Sequence, residues 1–193
     1  GSIGINATSG SFAYTPTAAA RHLAALLSAT PAQRSDTFTV TVSDGRGGTG
    51  AVPVAVTIAP ANVAPVAGTP TVGVPDAATG RVTGSVSATD ADGDTLTYSA
   101  PASTAKGSIG INSTAGSFTY TPTTAARQTA AGAGATAADL RDSFTVSVTD
   151  AHGGTATVAV TVPVSPSALP ANRAPTGTVV VGSPNVVTGA VTG

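Results

Sequence analysis

The sequence predicts an all-β fold, a two-sheet antiparallel sandwich that is copied along the chain. Three observations carry that reading. First, GSIGIN (1–6), SFAYTPT (11–17) and DTFTVTVSDGRGGT (36–49) return as GSIGIN (107–112), SFTYTPT (117–123) and DSFTVSVTDAHGGT (142–155), each 106 positions later. A repeat of that length is too long for a solenoid turn and matches one small globular domain. Second, short segments with apolar residues at every second position dominate, which is the period of half-buried strands. Third, turn-forming residues separate these segments at regular intervals, as in sandwiches.

Taken in order, the segments of the full copy are TVGV (71–74), RVTGSVSA (81–88), TLTYS (95–99), SIGIN (108–112), SFTYT (117–121), SFTVSVT (143–149) and TATVAVTV (155–162). Phe118 and Tyr120 share one face, as do Phe144, Val146 and Val148, while Ser and Thr take the other. STAG (113–116) lies between two such runs and reads as a hairpin turn. One segment departs from the pattern. TAAARHLAALLSAT (17–30) carries Leu23, Leu26 and Leu27 at helical spacing behind Thr17 as N-cap. Its counterpart TAARQTAAGAGATAAD (124–139) gains Gly132 and Gly134, which weaken a helix, so the helix is expected to be better formed in the first copy. A short helical crossover packed on the sandwich and a partner-binding helix are the two readings of this segment.

The repeat divides the chain into the C-terminal part of a preceding copy (1–61), one complete copy (62–171) and the opening strands of a following copy (172–193). NVAP (62–65) and NRAP (172–175) mark the two joints. The complete copy is long enough to bury its own core. The two flanks bare strand edges, and edges invite pairing. Either the boundaries cut through a longer ordered array, or strands of one chain complete the half-copy of another.

Composition narrows the function classes. The net charge is -1, and the eight basic residues are scattered, so no basic stripe offers a nucleic-acid surface. There is no Cys, hence no disulfide and no thiolate metal site. No run approaches about 18 consecutive apolar residues, so no segment reads as a membrane-spanning helix. All nine acidic residues are Asp, a residue of turns, caps and metal sites more than of helix surfaces.

Catalytic constellations do not emerge. His22 is matched by Gln128 in the other copy and His152 by Arg46, so neither His belongs to what the copies share. No nucleophile elbow is present, and GRGG (45–48) lacks the Lys-Ser/Thr ending of a phosphate loop. The chain reads as a non-enzyme.

The informative cluster is TDADGDTLTY (89–98), where Asp90, Asp92 and Asp94 alternate directly after a strand. Hard divalent cations need several carboxylate and carbonyl oxygens. An EF-hand loop is excluded: its sixth position is Thr95 instead of Gly and its twelfth is Pro101 instead of Glu. In an immunoglobulin-like sandwich, the B–C and F–G loops share one pole. DADGD would be the first of these and Asp150 would open the second, with the NVAP linker entering beside both. Asn62, Asp90, Asp92, Asp94 and Asp150 then converge, and carboxylates gathered so closely repel unless a cation sits among them. Asp36 of the preceding copy lies at that copy's opposite pole, facing the linker, and is a further candidate ligand shared across the joint. The bland alternative is a solvated turn, with Gly93 supplying backbone freedom.

These residues resemble the cadherin repeat, which has an Asx-rich linker ending in Asn-Ala-Pro, then an Asp-Ala-Asp motif, then an Asp after the F strand. NVAP, Asp90-Ala91-Asp92 and Asp150 fall in that order at similar spacing. FTYTPT, DSFTVSVTD and GGT look more specifically like the bacterial cadherin-like and VCBS-type repeats of large secreted adhesins. The resemblance implies Ca²⁺ as the bound ion, and a bacterial secreted or cell-surface setting. It implies a structural extension (stalk) module whose partners are neighbouring repeats and a cell-surface or self-association partner. The linker lacks two acidic ligands of the fuller cadherin form, and Asp36 alone stands in for the acidic motif of the preceding domain. Fewer ions per joint and weaker binding follow. The alternative is a carbohydrate- or surface-binding accessory module of a secreted enzyme, which the absence of Trp and the scarcity of Tyr disfavour.

Overall fold

The computed structural model describes residues 1–167, 180–182, 187–188 and 190. The NRAP linker and most of the segment read as opening strands of a following copy lie outside the described residues. In chain order the strands are β1 (Ser2–Ile5), β2 (Phe12–Thr15), β3 (Ser35–Ser43), β4 (Thr49–Thr57), β5 (Val66–Ala67), β6 (Thr71–Val72), β7 (Val82–Ser85), β8 (Ala88–Thr89), β9 (Thr97–Ser99), β10 (Gly107–Ile111), β11 (Ser117–Pro122), β12 (Arg141–Thr149) and β13 (Thr155–Pro163). Helix α1 (Ala18–Ala25) and a 3₁₀ turn (Pro31–Arg34) lie between β2 and β3, and α2 (Thr124–Ala131) lies between β11 and β12.

Strands β10-β11-β7-β6 form one antiparallel sheet and β13-β12-β9 the other, with β5 and β8 paired beside them. This is the immunoglobulin-like sandwich that the alternating segments predict. The register sends alternate residues inward: Phe118 and Tyr120 from β11, Val82 from β7, and Phe144, Val146 and Val148 from β12 are all buried. Phe118 and Phe144 meet edge-to-face across the two sheets, ring centroids 5.4 Å apart. The STAG turn closes as expected: Asn112 Oδ1 accepts the Thr114 and Ala115 N–H groups, and Gly116 takes φ +66°.

The first 57 residues repeat the second half of this pattern. β1 pairs with β2 as β10 does with β11, and β3 pairs with β4 as β12 does with β13. The helical crossover is present in both copies, each capped by a Thr hydroxyl: Thr17 accepts from Ala20 N–H and Thr123 from Ala126 N–H, both at 3.1 Å. The expectation of a better helix in the first copy is corrected here. Both helices have eight residues, because Gly132 stands at the C-cap of α2 and Gly134 beyond it, where glycine costs the helix nothing.

Arg21 and Arg127, equivalent in the two copies, pin each helix to the strand exit that follows it. Arg21 Nε donates to Ala59 O and its carbonyl accepts Ala61 N–H; Arg127 Nε donates to Ser165 O and its carbonyl accepts Ser167 N–H. Helix α1 is therefore fixed over the linker that leads into residues 62–167.

Candidate metal centre

The B–C connection, residues 90–94, leaves β8 and folds back through two local hydrogen bonds. Asp90 Oδ1 accepts the N–H of Asp92 at 2.9 Å and of Asp94 at 3.3 Å, and Gly93 takes φ +81°. The F–G connection is built the same way around Asp150. Its Oδ1 accepts His152 N–H at 2.8 Å and Gly154 N–H at 2.9 Å. A Cβ on Gly154 would lie 2.0 Å from Asp150 Oδ2 and 2.8 Å from Ala64 Cα, so only glycine leaves that oxygen room. Gly48 stands to Asp44 as Gly154 does to Asp150, its Cβ position 2.5 Å from Asp44 Oδ2, and Gly47 and Gly153 before them take φ +99° and +96°.

The linker enters between the two loops. Asn62 Nδ2 donates to Asp150 Oδ2 at 2.7 Å, and Val63 N–H donates to Asp92 Oδ2 at 2.8 Å. Ligand atoms of Asp90, Asp94 and Asp150 lie within 4.8 Å of one another. Asp150 is 1% exposed. Burial on its own would raise its carboxyl pKa, but the bonds from Asn62, His152 and Gly154 outweigh this and hold it below the usual carboxylate range.

Three oxygens here, Asn62 Oδ1, Asp90 Oδ2 and Asp94 Oδ2, are buried and accept no hydrogen bond. Buried polar atoms are rarely left so, because each costs on the order of 1–3 kcal/mol. Three in one place, all acceptors and two of them carboxylate, are the donor set of a hard cation. Of the residues singled out from sequence, the fold thus gathers Asn62, Asp90, Asp94 and Asp150. Asp92 sits at the rim, tied to the linker through Val63.

Asp36 is not brought to this cluster. It lies on β3, where its carboxylate accepts Tyr14 O–H at 2.6 Å and Thr37 N–H at 2.8 Å. The Tyr14 bond is the main reason its pKa is held low. Its counterpart Asp142 does the same work, accepting from Tyr120 O–H, Thr104 O–H and Ser143 N–H. These bonds hold Asp36 against Tyr14 and its own strand, outside the group formed by Asn62, Asp90, Asp94 and Asp150.

Two residues set aside by comparing the copies prove to be neighbours. His22 on α1 reaches Asp94 Oδ1 with Nε2 at 2.8 Å, and His152 Nδ1 lies 3.1 Å from Asp94 Oδ2. The imidazoles stack at 4.0 Å. The Asp94 carboxylate raises the His22 pKa above its ordinary value, against a smaller opposing effect of burial. Leu27 N–H, just past α1, donates to Ala151 O at 3.2 Å. The crossover helix is therefore also a docking element on the pole of the next copy. The residues that dock come from non-equivalent positions, so a search for what the copies share passes over them.

The class is defined by these features: an immunoglobulin-like β-sandwich with an acidic pole, onto which the preceding helix and linker are folded. The family follows. The model of the bacterial cadherin-like domain matches residues 62–166, just over half of the chain, and the chain belongs to that family. Domains of this kind are extracellular adhesion-type modules, generally non-enzymatic and generally Ca²⁺-binding. Among solved structures, the human desmocollin-1 ectodomain is similar, with TM-score 0.35 and 15% identity over 72% of this chain. The chain spans 24% of that ectodomain's length. No curated protein matches the chain in sequence. Among the described residues, no helix is long and apolar enough to cross a membrane.

Proposed function

We propose that this chain is a piece of a tandem array whose joints are stiffened by Ca²⁺, serving as a stalk in a large bacterial surface or secreted adhesin-like protein. The array is divided as 1–61, 62–171 and 172–193, with neighbouring repeats as the immediate partners. One observation carries the reading: Asn62 Oδ1, Asp90 Oδ2 and Asp94 Oδ2 are buried and accept no hydrogen bond beside Asp150, where linker and preceding helix meet the next sandwich. Asn62, Asp90, Asp94 and Asp150 would hold the ion, and Asp92 would keep the linker in place. The ion would neutralise mutually repelling carboxylates and bind linker and loops into one body. A joint fixed in this way transmits direction, whereas a flexible one lets a row of domains coil. The three tyrosines sit buried or half-buried within the sandwiches and offer no stacking platform for sugars.

The test is thermal melting and small-angle scattering of the whole chain in EDTA and in 5 mM Ca²⁺. A site with Kd on the order of 10⁻⁴–10⁻³ M, usual for extracellular modules, adds about 1–2 kcal/mol at that concentration. That raises Tm by roughly 5–15 °C, and the scattering profile should become that of a more extended, narrower ensemble. Identical Tm and scattering in both buffers would remove the Ca²⁺-joint reading.

A further inference from the structure

The geometry points to a second metal site on the same joint, formed by His22, Asp94 and His152 and suited to a nitrogen-ligated divalent transition ion such as Zn²⁺. The three residues come from α1, the B–C loop and the F–G loop, and their ligand atoms all lie within 4.8 Å of one another. His22 Nε2 to Asp94 Oδ1 is 2.8 Å and His152 Nδ1 to Asp94 Oδ2 is 3.1 Å. Ligand atoms of one tetrahedral ion with bonds of about 2.0–2.2 Å lie roughly 3.3–3.6 Å apart, so carboxylate and imidazoles, now in direct contact, need to open by only several tenths of an ångström to admit one.

A second, independent feature marks the place as a ligand site. The Asp94 side chain is 8% exposed, and its Oδ2 accepts no hydrogen bond although His152 Nδ1 lies close by. His152 Nδ1 faces the Asp150 carbonyl at 3.0 Å instead. His22 Nδ1 is likewise buried and unpartnered, 3.6 Å from Asp92 Oδ2. Two imidazoles add nothing for Ca²⁺, which takes oxygen ligands, but they favour Zn²⁺, Ni²⁺ or Cu²⁺. Binding would displace protons from the imidazoles, and water would complete the coordination. Asp94 would be shared with the oxygen site.

The site is particular to this joint. The equivalent positions of the other copies hold Gln128 and Arg46, neither of which supplies such a ligand. A transition ion here would clamp α1 of one copy to both loops of the next.

The experiment titrates Zn²⁺ by calorimetry, and Co²⁺ by visible absorption, into the whole chain held in 5 mM Ca²⁺. The expected result is saturable one-to-one binding of Zn²⁺, with Co²⁺ bands of nitrogen–oxygen coordination. His22→Gln and His152→Arg, residues the other copy already accommodates, should each weaken Zn²⁺ binding by at least about tenfold, as loss of a direct ligand must exceed loss of its support. Both should keep the Ca²⁺-induced rise in Tm. No Zn²⁺ binding by the native chain, or undiminished binding by both variants, would overturn the proposal. A missing Ca²⁺ response with Zn²⁺ binding intact would sink the Ca²⁺ reading and leave this one standing.

Discussion

The two ends of the sandwich both carry buried or half-buried aspartates, and they use them in opposite ways. At the end opposite the Asp90–Asp150 pole, Asp142 accepts from Tyr120 O–H, Thr104 O–H and Ser143 N–H, and at the corresponding end of the preceding copy Asp36 accepts from Tyr14 O–H and Thr37 N–H. Each carboxylate there is consumed by hydrogen bonds that tie strands together. At the joint, Asp90 Oδ2 and Asp94 Oδ2 lie beside Asp150 and accept no hydrogen bond, with His152 Nδ1 3.1 Å from the second of them. The residue type is the same, and the supply of donors decides its role. A carboxylate supplied with donors is tied into the strands, and one set beside other carboxylates keeps oxygens open to a cation.

The sharpest way to break the comparison is to remove the distal aspartate. Asp142→Ala would strand the fully buried Tyr120 hydroxyl, whose pKa burial and Asp142 already drive upward. A loss of about 2–3 kcal/mol is expected, or roughly 10–20 °C in Tm. The same loss should appear in EDTA and in Ca²⁺, and a Ca²⁺-dependent loss would place the metal at the wrong end.

Asp90→Ala combined with Asp94→Ala should behave in the converse way. It should abolish the Ca²⁺-induced gain of about 1–2 kcal/mol, while the variant's own stability, set by relieved repulsion against the lost Asp90 turn bonds and the His22–Asp94 bond, should be the same in EDTA and in Ca²⁺. Asp139→Ala is the matched control, because that carboxylate is engaged with Thr136 N–H and O–H. Urea unfolding in both buffers reads all three variants.

A smaller effect follows from acid. The Asp150 pKa is depressed in the folded state, so its stabilisation is present above the ordinary carboxylate range and is lost as pH falls through the folded value. In EDTA, native protein should lose stability below about pH 4 more steeply than Asp150→Asn. Parallel curves would mean that Asp150 is not held as the geometry states.

The smallest expected change compares the two F–G loops. Ala151 has φ +64°, where the first copy has Gly45 at φ +73°. A non-glycine residue there costs about 1–2 kcal/mol, so Ala151→Gly should stabilise by about 0.5–1 kcal/mol in denaturant melts, after glycine's own entropy loss of roughly 0.5–1 kcal/mol is counted.

Much of this was legible in the sequence, for identifiable reasons. The strands were readable because one face of each is buried, which forces the period of two seen in SFTVSVT and SFTYT. The joint pole was readable because sandwich topology brings the B–C and F–G loops together wherever their residues stand in the chain. Other features depend on contacts that leave no periodic trace. The two-residue β5 is too short to show alternation. The sequence leaves Asp36 open as a ligand because nothing in it shows Tyr14 reaching it from the other sheet. Comparing the copies passes over His22 and His152, because the copies differ there, yet a joint is made from one copy's helix and the next copy's loops. The repeated Arg21 and Arg127, which seat those helices, were the available signal that the crossover faces the linker.

The stalk reading turns on whether the buried oxygens of Asp90 and Asp94 that accept no hydrogen bond hold Ca²⁺. Calorimetric titration of the whole chain with Ca²⁺ tests it most directly. The account predicts a saturable isotherm in the native chain, its loss in the Asp90→Ala, Asp94→Ala double variant, and an unchanged isotherm in Asp142→Ala. No binding heat in the native chain, or the same isotherm in the double variant, would contradict it.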